Sequence, residues 1–192
     1  TDIGNLDFKI DYKTGKNKLF NVLNAYAMYD HEISYCQGLN FIVAMLLKHL
    51  PKESDAFYCF LHIMKKHDWR ACYDMETSKL ISMLEFLECI LETAWPKVYE
   101  HIMREIEISL VPVFCSIIQT IYIYDSPEEI ATHIFDVFLL DGEHVIFTLL
   151  LKMIEIKESK ILEMYDHDLM DYIRAKMSIE CISAIKMAIL LE

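Results

Sequence analysis

Between Leu39 and Leu50 the chain carries a run that would be apolar on nearly every side of a helix, and Pro51 closes it. Such a helix finds no stable place on a surface and has to be enclosed by other elements. The segments around it supply suitable walls. Leu19, Val22, Leu23, Tyr26 and Ala27 recur at the spacing of one helix face, as do Phe57, Phe60, Leu61 and Met64. Leu80, Leu84, Leu87 and Leu91 form a third stripe that stops at Trp95-Pro96. The 192 residues contain only 4 Gly and 4 Pro, too few for the many tight turns of a sheet-rich fold. The expectation is an all-α fold of several helices joined by short loops, organised as one domain over residues 1–192.

Local signals refine that expectation. Residues 1–18 are polar and end in Lys13-Thr-Gly-Lys-Asn-Lys18, which reads as a loop. Ser126-Pro127-Glu128-Glu129 reads as a helix start, with a serine able to cap, a proline suited to the first turn and acids at the positive end of the dipole. That helix should pass through Ile134 and Val137 and stop at Asp141-Gly142. Further helices are expected over Val145–Ile156, Ile161–Lys176 and the tail from Ser178 to Leu191. The uncharged stretch Ser109 to Tyr124 is shorter than a membrane span of about 20 residues. It reads as a buried helix.

Charge and cysteine usage exclude several roles. With 54% apolar residues the chain is not disordered. A net charge of -12 opposes binding to nucleic acid and direct docking on anionic lipid. The six cysteines, at 36, 59, 72, 89, 115 and 181, form no C-x-x-C pair and lie in apolar segments. Buried free thiols in a reducing, cytoplasmic setting are expected. No signal-peptide pattern opens the chain.

Most chemical motifs fail. His62 and His67 are five residues apart and do not share a helix face well enough to hold one metal. Asp166 to Asp171 is rich in acids but lacks the glycine and terminal glutamate of a calcium loop, so it reads as a solvated helix start. No nucleophile elbow, phosphate-binding loop or dinucleotide fingerprint occurs. The chain is not expected to hold a nucleotide, metal or other cofactor of its own.

One string is different. Tyr35-Cys36-Gln37-Gly38 places a polar Gln and a Gly directly before the buried run. The segment Leu19 to Ile42, with a helix, the acidic break Asp30-His31-Glu32 and then Tyr-x-Gln-Gly, resembles the central stretch of the TBC domain, the catalytic module of Rab GTPase-activating proteins. Leu46 to Phe57 continues in that family's order, and Ser126 to Asp136 and Phe138 to Phe147 resemble its third block.

The resemblance implies a mechanism with two inserted side chains. An arginine neutralises charge on the transferring phosphoryl group, and a glutamine orients the attacking water. By the match Gln37 is the glutamine finger, and Asp2, Tyr35 and Gly38 are supporting positions. Asp136 and Gly142 fall where the third block offers candidate partner-facing residues. A Rab-family small GTPase is the implied partner, and it would carry the GTP and magnesium. Recruitment to membranes would come through such partners or through flanking domains.

The departures from the family pattern matter as much. Asp2-Ile3-Gly4-Asn5 aligns with Asp-x-x-Arg, so Asn5 stands at the arginine position, and the chain starts inside this first motif as an excised domain would. Asparagine is neutral and forms no charged fork on phosphate. An arginine finger contributes about 10³–10⁵ in rate, roughly 4–7 kcal/mol of barrier. Lys9 or Lys13 would bring only a point charge in its place. The third block carries Ile117-Ile118 where the family has Trp-Phe, and His133 where it has a basic residue. Two readings follow: a GTPase-activating domain of weak or altered activity, or a catalytically inactive binding module that engages a GTPase or another protein.

Overall fold

The computed structural model describes residues 14–33, 36–106 and 110–184. Among them the regular structure is helical, with no strand. The chain divides into two compact units, Thr1–Lys79 and Leu80–Glu192.

The first unit is built on three helices, α1 (Thr14–Tyr29), α2 (Leu39–His49) and α3 (Glu53–Lys66), each packed on the other two. Helix α2 is the enclosed run, with every residue from Phe41 to Leu46 buried. It ends one residue before Leu50, whose N–H reaches the Leu46 carbonyl ahead of Pro51. Helices α1 and α3 run side by side in the same direction. Near their starts the Lys18 ammonium donates to the Pro51 carbonyl at 2.7 Å and the Asn21 amide donates to the Glu53 carboxylate at 3.1 Å. Further along, Tyr26 meets Phe60 edge-on at 4.8 Å. At their far ends the Lys65 ammonium lies over the Tyr29 ring and donates to its hydroxyl. Helix α2 runs back between these ends, so its N-terminus lies where α1 and α3 finish.

Two expectations need correcting in this unit. The Lys13–Lys18 segment is helical from Thr14 onward despite Gly15, because the contacts from Lys18, Leu19 and Asn21 hold the first turns in place. The buried stripe of α3 consists of Ala56, Phe60, Ile63 and Met64, while Phe57 and Leu61 lie at its edge.

In the second unit, Leu80, Leu84, Leu87 and Leu91 of α4 (Ser78–Ala94) are buried as their spacing requires. Then come α5 (Pro96–Ile106), α6 (Val111–Gln119), which buries Val113, Phe114, Ile117 and Ile118 but exposes Val111, α7 (Glu128–Asp141) and α8 (His144–Leu162). Phe86 of α4 meets Phe147 of α8 edge-on at 5.2 Å. The start of α7 differs from expectation. Pro127, not Ser126, is the cap: its extended ψ of 146° keeps it out of the helix, and its carbonyl accepts the N–H of Ala131 at 2.9 Å. The Ser126 hydroxyl is buried without a hydrogen bond.

The helix expected over Ile161–Lys176 is broken. It ends at Leu162, restarts as α9 (Asp166–Asp171), continues through a π-helical turn (Tyr172–Lys176) and reaches α10 (Met177–Glu180). A buried histidine accounts for the break. His101 contacts the Met164 carbonyl through Nε2 at 2.8 Å and Arg104 through Nδ1 at 2.8 Å. With arginine necessarily the donor to Nδ1, Nε2 carries the hydrogen and fixes Met164 outside a helix. Tyr165 is then extended. The acids of Asp166 to Asp171 do form a helix start, as expected.

None of the described helices is long and apolar enough to cross a membrane. All six cysteines are free, but burial is not uniform. Cys72 and Cys181 are buried, whereas Cys59 and Cys89 lie on the outer faces of α3 and α4 and are exposed.

Phe60 is fully buried against Tyr26, while Phe20 on α1 is 66% exposed. Phe60→Ala should therefore lower unfolding stability by about 3–5 kcal/mol, and Phe20→Ala by less than about 0.5 kcal/mol. Urea denaturation of the two variants checks the contrast.

Candidate functional site at one end of the first unit

Gln37 lies between α1 and α2, and a single ion pair organises the residues that directly follow α1, Asp30 to Ile33. Asp30 follows α1 directly and accepts from Arg70 in a bidentate arrangement, Nε to Oδ2 at 2.6 Å and Nη2 to Oδ1 at 3.0 Å. The same carboxylate accepts the N–H of Ile33 at 3.4 Å and the Tyr26 hydroxyl at 3.2 Å. Arg70 Nη2 also donates to Glu32 at 2.6 Å. Both acids of the break are thus tied to one guanidinium. Arg70 sits on a 3-10 turn, Trp69–Cys72, that follows α3 and packs against it.

The electrostatics agree with this geometry. The Arg70 guanidinium holds the Asp30 carboxyl below the ordinary carboxylate range, against the opposing effect of burial. Asp30 and Glu32 in turn push Arg70 further toward its charged form. Burial and the neighbouring Asp30 raise the Tyr26 hydroxyl well above its ordinary value, so it remains a donor.

Beyond the ion pair the chain turns into α2 at Gln37-Gly38. Gly38 is the cap residue, with φ +111° and ψ −36°. A side chain there is strained, and a Cβ would also lie 3.1 Å from Cε1 and 3.4 Å from the hydroxyl oxygen of Tyr73. Tyr73 is buried three residues beyond Arg70. Burial pushes its hydroxyl well up, opposed by a hydrogen bond with Trp69. Gly38 donates its N–H to the Asn40 side chain at 3.2 Å, and its carbonyl accepts from Phe41 at 3.1 Å. Gln37 lies on this turn with its side chain exposed. An exposed amide next to a backbone fixed at Gly38 has one donor group and one acceptor group to offer an incoming molecule.

The remaining residues singled out from sequence are placed as follows. Asp2, Asn5, Lys9, Lys13 and Tyr35 lie outside the described residues. Asp136 is exposed on α7 of the second unit. Gly142 is buried; at φ +86° it ends α7, its N–H reaching the Phe138 carbonyl. It shapes a corner and offers no surface to a partner. Sequence reasoning passed over Arg70 and Tyr73, the two side chains that hold the Gln37 turn from behind. Arg70 stands 40 residues from Asp30. No periodicity announces a contact across that distance.

Comparison with known proteins places this arrangement. The Rab-GTPase-TBC domain family model matches residues 2–162, and the chain belongs to that family. It is 29% identical over 157 residues to the human ecotropic viral integration site 5 protein homolog, covering 82% of this chain and 19% of that protein. It is also 29% identical over 172 residues to the Rab GTPase-activating protein eat-17 of Caenorhabditis elegans, covering 90% of this chain and 19% of that protein. The chain therefore spans about a fifth of the length of these relatives. Among solved structures, the Chlamydomonas flagellar RabGAP TBC domain superposes with a TM-score of 0.76 over 93% of this chain and 59% of that one, at 20% identity. The fold is that of a TBC domain.

Two outcomes follow for the turn. Gly38→Ala should cost about 1–3 kcal/mol from backbone strain alone, read as a lowered urea midpoint. Asp30→Asn should cost about 2 kcal/mol at neutral pH, as expected for hydrogen bonds to a charged group. Because the folded Asp30 carboxyl is depressed, its contribution is complete above the unfolded value of 3.8 and fades as pH falls through the lower folded value. The stability gap between the native chain and Asp30→Asn should therefore close below about pH 4, measured by denaturation at stepped pH.

Proposed function

We propose that this domain accelerates GTP hydrolysis by a Rab-family small GTPase, with Gln37 supplied to the partner's nucleotide site. The carrying observation is an exposed Gln37 on a turn fixed by Gly38, Tyr73 and the Asp30–Arg70 pair, in a chain of the Rab-GTPase-TBC family. The relative eat-17 is named a Rab GTPase-activating protein, which supports the same reading.

The chemistry follows from what a phosphoryl transfer requires. The enzyme side has little covalent work to do, so positioning and charge stabilisation supply the rate. The Gln37 carbonyl would accept from the attacking water, and its NH₂ would donate to a phosphate or backbone oxygen of the partner. GTP and magnesium belong to the partner. Arg70 has a second use here. A GTPase presenting a charged nucleotide would be repelled by the acids of the break, and Arg70, paired with both Asp30 and Glu32, offsets one of their two negative charges. Since the arginine position carries Asn5, the full charge stabilisation of a two-finger site is missing and the expected acceleration is partial.

The domain would act in the cytoplasm and reach membranes through its GTPase or through flanking domains. Gln37→Ala should abolish stimulation of single-turnover GTP hydrolysis while leaving the fold intact, since its side chain is exposed. Asn5→Arg should raise stimulation by an amount approaching the factor of about 10³ at the lower end for an arginine finger. A Gln37→Ala domain as active as its parent would refute the role assigned to Gln37.

A further inference from the structure

A single glutamine cannot hold a GTPase. A specific interface takes about 800 Å² from each partner, and most of its energy comes from a few aromatic or otherwise apolar anchors. Among the described residues of the first unit, the exposed large apolar ones are Phe20, Met28, Tyr29, Tyr58 and Met75. The direction of the helices sorts them. Because α1 and α3 run together and α2 runs back, the end that presents Gln37 is the end where α1 finishes. Met28 and Tyr29 belong to the last turn of α1, at 67% and 51% exposed. Phe20 sits early on α1, and Tyr58 lies two turns of α3 below Lys65.

Met75 belongs to the same end by a different route. Its chain neighbour Tyr73 has its ring against Gly38, and Met75 two residues on is 98% exposed. Tyr29 is joined to the turn through Asp30, the next residue, whose carboxylate grips both Ile33 and Arg70. Its ring is held in place by Lys65 and lies edge-on to Phe57 at 6.5 Å. A rigid aromatic and a flexible thioether thus lie at the end of the unit that carries Gln37. Tyrosine is favoured at interface centres, and methionine adapts to irregular apolar surfaces.

We propose that Met28, Tyr29 and Met75 are the apolar anchors that hold the GTPase while Gln37 engages, and that they set which GTPase is accepted. The proposal rests on the function proposed above and names the contact surface it requires. The occupant is the GTP-bound GTPase itself, because any partner whose nucleotide site receives Gln37 covers this end. The anchors act in binding and leave the chemistry to Gln37, so their loss is read in KM and Kd and not in kcat.

The test begins with the intact domain and a panel of Rab proteins loaded with a non-hydrolysable GTP analogue, with binding measured by interferometry. The GTPase that binds is then titrated against Tyr29→Ser/Met75→Ser and against Phe20→Ser, with circular dichroism confirming the fold of each. The expected result is a Kd raised about tenfold or more in the double variant and within about twofold of the parent in Phe20→Ser. In turnover, the double variant should raise KM at unchanged kcat, whereas Gln37→Ala lowers kcat. Met75→Ser alone, at a side chain almost wholly in solvent, should weaken binding without any change in melting temperature. Equal binding by the parent, the double variant and Phe20→Ser would overturn the anchor assignment while the proposed function stands. No binding by the parent to any member would remove the proposed function, and the anchors with it.

Discussion

The bidentate pair between Asp30 and Arg70 carries more of the first unit than its size suggests. It joins the end of α1 to the turn that follows α3, and it does so with one oxygen also bonded to Tyr26 and the other to Ile33. Asp30 is nearly enclosed and Arg70 about one-third exposed, so solvent screens the pair only in part. Removing Arg70 would leave the largely enclosed Asp30 carboxylate without its counter-charge, whereas removing Asp30 leaves Arg70 partly solvated and still paired with Glu32. From this joint the chain gains two fixed ends. On one side Ile33 is pinned after the acidic break; on the other the backbone leads through Cys72 to Tyr73, whose ring closes over Gly38. Gln37 is exposed, and the residue that follows it is held against Tyr73.

This division of labour suits the proposed role, in which Gln37 enters another protein's site. A catalytic amide must arrive with its backbone already placed, since ordering a loose loop at encounter would consume binding free energy. The unusual φ of Gly38 is part of that arrangement. It lets the chain enter α2 abruptly, so Gln37 stands at the helix start instead of being drawn into the first turn. The positive end of the α2 dipole lies at the same point, where it favours an approaching phosphate. The family's fold and the Gln37-Gly38 turn are therefore retained in a chain for which we propose that asparagine stands at the arginine position. The account predicts a catalyst with its positioning element intact and its charge element weakened.

Much of this was legible in the sequence, and the rest was hidden for identifiable reasons. The nearly all-round apolar character of residues 39–50 announced a central helix, and the four leucines of α4 announced a buried face, because burial imposes period and composition directly. Gln37-Gly38 stood out because a polar residue and a helix breaker precede a buried run without a local reason. Arg70 and Tyr73 did not, since their partners are 40 and 35 residues away and a lone arginine carries no spacing. The helix break at Glu163–Tyr165 depends on His101, a distant residue whose ring fixes a backbone carbonyl. Ser126 looked like a cap, but Pro127 adopts the extended conformation that ends the turn, and the cap moves one residue on. Local chemistry was readable; long-range hydrogen bonds were not.

The most direct test is single-turnover hydrolysis of GTP bound to each of a panel of Rab proteins, with and without a large excess of the domain. The account predicts stimulation of at least one member, smaller than the full two-finger factor of about 10⁵, and its disappearance when Gln37→Ala replaces the parent. Unaltered hydrolysis for every member in the presence of the folded domain would contradict it. The chain would then be a TBC fold that does not activate these GTPases.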